Sequence, residues 1–105
     1  MNIQPAEFVA LIIRNVNRPT PLCNIEIRQM FRVAIAMIRS MRAETGIPFL
    51  QSELQILSRF EKLSATAHLC PYDTLMTALL DAAEEIRTLA IVIDRLQRRN
   101  QTASQ

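Results

Sequence analysis

Apolar residues recur at intervals of three and four along nearly the whole chain, and prolines break the series at a few points. Phe8, Val9, Ile12, Ile13 and Val16 fall on one side of a helical wheel. Pro5 suits a first helical turn, and Glu7 sits near the positive end of the helix dipole. This predicts a short helix over 5–17, which Pro19 and Pro21 cannot continue. A second helix is expected over 20–45, with Thr20 as N-cap, Pro21 in the first helical position and Gly46 as a left-handed C-terminal cap. A third, over 48–69, opens at Pro48 and ends before Cys70-Pro71. Asp73 or Thr74 caps a fourth over 73–100, followed by a frayed polar tail at 101–105. The connections at 46–47 and 70–73 are short, so helices two, three and four should lie antiparallel to their chain neighbours. The expected fold class is all-α: one domain, a small antiparallel bundle of three long helices plus a short N-terminal helix.

The widths of the apolar faces carry the functional argument. In the fourth helix, Met76, Leu79, Ala83, Ile86, Ala90 and Ile93 form one seam, and Leu75, Ala82, Leu89 and Leu96 a second beside it. Together they make a stripe about 160° wide, enough for two neighbouring helices. Leu80 and Ile91 fall off that stripe and mark a second surface. In the second helix, apolar positions from Ile27 to Met41 sweep about 200°, against about 100° for the surface helix of a monomer. The excess is covered either by other helices of the same bundle or by another chain. Phe31, Ile35, Ile38 and Met41, with Leu80 and Ile91, are the candidate partner or dimer interface. Met30, Met37 and Met41 give one side of the arc the adaptability of methionine.

Composition sharpens this picture. Half of the 105 residues are hydrophobic, yet there is one glycine, one tyrosine, four phenylalanines and no tryptophan. So short a chain leaves much of its surface exposed, and an apolar content this high suggests a covering partner, a second copy included. A net charge of +2 excludes an acidic nucleic-acid mimic. The one local concentration of charge is Arg28, Arg32, Arg39 and Arg42, within an 80° strip of the second helix at about 100° per residue. Such a strip is either a solvated face or an electrostatic site for phosphates or an acidic partner. No aromatic residue interleaves the arginines, so base stacking is not indicated and nucleic acid is the less favoured ligand.

Catalytic chemistry finds little support. One glycine cannot build a phosphate loop, and Glu84 and Glu85 point away from each other on a helix. His68 is the single histidine, and with Cys23 and Cys70 it does not amount to a zinc site. Neither an enzyme nor a bound cofactor or metal is expected. The cysteines lie equally far from the 46–47 turn, so both should sit at the open end of the hairpin. Reduced thiols are the expected state there. The first residues show no basic stretch before a long apolar run, and the longest uncharged apolar run is Val33 to Ile38. Neither a signal peptide nor a membrane span is expected, and the cytoplasm is the expected compartment.

In size, in its short N-terminal segment and in its long helices around the turn Leu69-Cys70-Pro71-Tyr72-Asp73, the chain resembles the small helical anti-activators of LuxR-type quorum-sensing regulators, the TraM type. The resemblance is one of layout over about residues 20–100, and this turn lacks the glycines of that type. It implies a homodimer that binds a transcription activator and blocks its dimerisation or DNA binding. The expected function is thus a regulatory protein-binding module that sequesters a partner by helix packing. The alternatives are a nucleic-acid-binding protein using the arginine strip, and a helical secretion or assembly chaperone.

Overall fold

The computed structural model describes residues 3–103, with side chains over 3–99. Four helices, α1 (Pro5–Val16), α2 (Asn24–Thr45), α3 (Gln51–Ala65) and α4 (Tyr72–Ala103), and one 3₁₀ turn (Ala67–Leu69) make up the fold, an all-α bundle. No strand occurs among the described residues. None of the described helices is long and apolar enough to cross a membrane.

Local chemistry sets the helix ends. Pro5 opens α1, and the Asn17 backbone N–H closes it on the Ile13 carbonyl at 3.1 Å. The second helix begins at Asn24, not at Thr20. The Glu26 carboxylate turns back to accept the Cys23 backbone N–H at 3.3 Å and an Arg18 guanidinium N–H at 3.4 Å, while Leu22 is pulled into the core. This stabilises a non-helical approach through 18–23. Gly46 takes the left-handed conformation, φ 70°, as expected of the cap. The Thr45 hydroxyl donates to the Arg42 carbonyl at 2.6 Å and accepts the Ile47 N–H at 3.1 Å.

The third helix begins at Gln51, later than Pro48, because Glu53 accepts the Leu50 N–H at 3.0 Å and fixes the first turn there. It ends at Ala65, where Thr66 breaks the run into the 3₁₀ turn. Tyr72 starts α4 one residue before Asp73, and the Pro71 carbonyl accepts the Leu75 N–H at 3.2 Å. The helix continues through Ala103 across the positions expected to fray; Ser104 and Gln105 lie outside the described residues.

The second helix is the centre of the bundle, packed against α3 on one side and α4 on the other, with α1 laid on α4. Contacts of Arg39 with Glu61, Arg42 with Glu53, and the Ser64 hydroxyl with the Arg28 carbonyl (3.4 Å) show α3 running antiparallel to α2. The fourth helix runs back alongside α2, pinned at its start by the Leu22 N–H donating to the Tyr72 hydroxyl at 3.1 Å. Phe8, Phe31, Phe60, Ile12, Ile27, Leu75, Leu79 and Ile86 are the largest fully buried side chains. The Phe31 and Phe60 rings meet at 6.0 Å between centroids and join α2 to α3. The third helix buries only the narrow stripe Leu57, Phe60 and Ser64, as a helix leaning on one neighbour should.

Candidate functional site

The expected interface divides sharply. Phe31, Ile35, Ile38 and Met41 are all buried within this one chain, Phe31 completely. They are therefore core residues and are withdrawn from the candidate surface. The physical reason is the central position of α2: α3 and α4 meet most of its wide apolar arc, leaving Val33 exposed and Met37 half-buried at its edge. Leu80 and Ile91 behave as their off-stripe positions suggest and stand 42 % and 50 % exposed on α4.

The arginine strip does not form a common face either. Arg39 pairs with Glu61, and Arg42 with Glu53, both on α3. Arg42 is the more enclosed, with its guanidinium carbon 5.7 Å from the centre of the Phe49 ring and its Nε buried without a hydrogen-bond partner. These two arginines tie α2 to α3. Arg39 is exposed despite its pair, and Arg28 and Arg32, exposed beside Ile25 and Gln29, have no ion pair among the described residues.

The Glu53 carboxylate also reaches a second acid. Burial raises the Glu85 carboxyl above its ordinary range, and the negative charge of Glu53 pushes in the same direction. Arg42 opposes the shift, while Asp81 and Glu84 add to it. Arg59 on α3 and Asp81 on α4 lie 3.5 Å apart at the exposed edge of the same seam. Glu26 shows the reverse: hydrogen bonds from the Cys23 thiol and backbone, and then from Arg18, hold it below the ordinary carboxylate range. Arg59 and Asp81 join α3 to α4 and Glu26 holds the entry of α2, whereas Glu85 costs stability when it is ionised.

An apolar groove lies elsewhere, between α1 and α4. A groove of about 300 Å³ is walled by Pro5, Ala6, Val9, Ala10 and Ile13 on one side and by Ile86, Arg87 and Ala90 on the other. Its walls are predominantly aliphatic, and Ala6, Ala10 and Ala90 keep it open because a methyl group fills so little of the space between two helix backbones. Ile13 is part-exposed at one edge and Ile91 stands next to Ala90 on α4. Sequence reasoning missed the groove. The clue was present in the alanine spacing Ala6–Ala10, which lies on the side of α1 away from Phe8 and Ile12.

Cys23 and Cys70 are free thiols, the first exposed and the second half-buried beside the Thr66 hydroxyl at 3.6 Å. Both lie near the Leu22–Tyr72 contact, at one end of the bundle. His68 is exposed in the 3₁₀ turn. Among the described residues no group of three or more His, Cys, Asp or Glu side chains is placed to hold a metal ion. No protein-family model, no curated protein and no solved structure matches the chain.

Proposed function

We propose that the chain is a small regulatory protein-binding module that sequesters a partner, a transcription regulator, by accepting one of its helices. The observation that carries this reading is the aliphatic groove between α1 and α4, open to solvent and continuous with the exposed Ile13. A groove of this kind suits an amphipathic helix with apolar anchors at i, i+3, i+4 and i+7, for which small wall residues permit close approach. Arg87 at its rim supplies a cation for an acidic residue flanking those anchors. A regulator held by the helix it needs for dimerisation loses DNA binding without any chemistry on the inhibitor's part, the mode of action of the anti-activators that the chain resembles in layout.

The test is affinity capture from the native host, identification of the captured protein, and a binding titration with both components purified. Ala10→Arg fills the groove from an exposed position and leaves the core alone. The expected outcome is a captured regulator that loses its DNA complex when the protein is added, with affinity at least tenfold weaker for Ala10→Arg. A partner bound equally well by that variant, or one whose DNA complex survives, overturns the proposal. Apolar docking also predicts little loss of affinity at high salt, whereas phosphate contacts by arginines weaken steeply with it.

A further inference from the structure

The outward face of α4 has a property that the α1/α4 groove does not share: it is complementary to itself. The exposed residues Asp73, Thr77, Leu80, Glu84, Arg87, Ile91, Asp94 and Arg98 follow one another at alternating intervals of four and three, the spacing of a coiled-coil seam. The two apolar members, Leu80 and Ile91, are equidistant from a midpoint between Glu85 and Ile86, and so are Glu84 and Arg87. The same midpoint relates Asp73 to Arg98 and Thr77 to Asp94.

We infer that this face binds a second copy of the chain, α4 against α4 in antiparallel orientation about that midpoint. A two-fold axis there sets Leu80 against Ile91 of the second copy, twice, and Glu84 against its Arg87, twice. The outer layers bring Asp73 to Arg98, and the Thr77 hydroxyl to the Asp94 carboxylate as a donor. Charge selects the orientation. A parallel pairing stacks Asp73 on Asp73, Glu84 on Glu84 and Arg87 on Arg87, so that every charged layer repels. Antiparallel pairing turns the charged layers of the same residues into attractions.

The acidic first half and the basic end of α4 also follow the helix dipole, but the dipole does not place two exposed aliphatic residues symmetrically about the centre. Within one chain the charges already engage locally, Arg87 with Glu84 at 3.9 Å and Arg98 with Asp94 at 3.2 Å. Exposed pairs of this kind contribute little energy. They set register, while Leu80 and Ile91 supply the apolar burial.

A single helix seam is smaller than the ~800 Å² per partner of a standard interface, so the association is concentration-dependent. Arg87 borders both surfaces, but the inference is tested on the purified protein alone, with nothing in the α1/α4 groove. Sedimentation equilibrium up to about 100 µM should show the 12.0 kDa chain passing into a dimer. Ile91→Asp should raise the dissociation constant at least tenfold, with unchanged helicity by circular dichroism, because the position is exposed. Glu84→Arg sets one arginine against Arg87 of each copy, twice in the dimer, and should weaken it about as much. The exchange Glu84→Arg with Arg87→Glu restores every opposite-charge layer and should restore the dimer to within a few-fold of the original. A monomer throughout that range overturns the inference. So does a dimer indifferent to Ile91→Asp, or an exchange variant no tighter than Glu84→Arg alone. Ala10→Arg separates this face from the groove, since it should leave self-association unchanged.

Discussion

At the level of single residues, burial decides which side chains can act outside the molecule. Phe31 is enclosed by the chain's own helices and packed against the tilted ring of Phe60, so Phe31→Ala should cost ~3–5 kcal/mol in urea unfolding. Phe31→Asp should abolish the fold. Leu80 and Ile91 sit at the opposite extreme, and polar substitutions there should leave the Tm of the dilute monomer nearly unchanged.

The charged residues make a separable prediction. Folding raises the Glu85 carboxyl, so the folded state holds that proton more tightly than the unfolded chain does. Its contribution favours folding below the unfolded value, near 4.5, and is lost as pH rises through the higher folded value. Glu85→Gln should therefore melt above the parent protein at pH 7, and the difference should shrink to nothing below the ordinary carboxylate range. Glu26 carries the opposite sign, with stability present above its unfolded value and lost as pH falls through the lowered folded one.

Among elements, the α2–α3 hairpin depends on a few joints. Glu53 caps α3 through the Leu50 N–H and pairs with the enclosed Arg42, so Glu53→Ala leaves a poorly solvated cation and an open helix end. A loss of about 2 kcal/mol is expected in denaturant melts. At the turn, a Cβ added to Gly46 meets nothing within 4 Å, so the cost of Gly46→Ala is backbone strain alone, about 1 kcal/mol. Four helices, their order and the Gly46 cap were legible from apolar spacing and punctuation. The starts of α2 and α3 were not, because in both cases a glutamate three residues past the N-cap, Glu26 after Cys23 or Glu53 after Leu50, sets the boundary in place of the nearby prolines. The place of α2 between α3 and α4 was hidden for a different reason. A broad apolar arc looks the same in sequence whether its neighbours come from the same chain or another. The pairing of Arg39 and Arg42 likewise depends on the rotational phase of α3, which no local pattern states.

For the molecule as a whole, the long dimension of 53 Å is close to the length of α4 itself, ~48 Å for 32 residues. Among its described side chains the last deeply buried one is Leu89, and Ile93 and Leu96 beyond it are only half-buried. Amide hydrogen exchange should accordingly show protection that declines along α4 after Leu89. One further consequence follows from the Leu22–Tyr72 hydrogen bond. The chain has a single tyrosine and no tryptophan, so its ultraviolet emission comes from the one side chain that fastens the entry of α2 to the first turn of α4. Fluorescence therefore watches that joint. If the joint opens before the rest of the bundle, emission will change ahead of circular dichroism on heating, and the gap between the two curves will measure how tightly that end of the protein is closed.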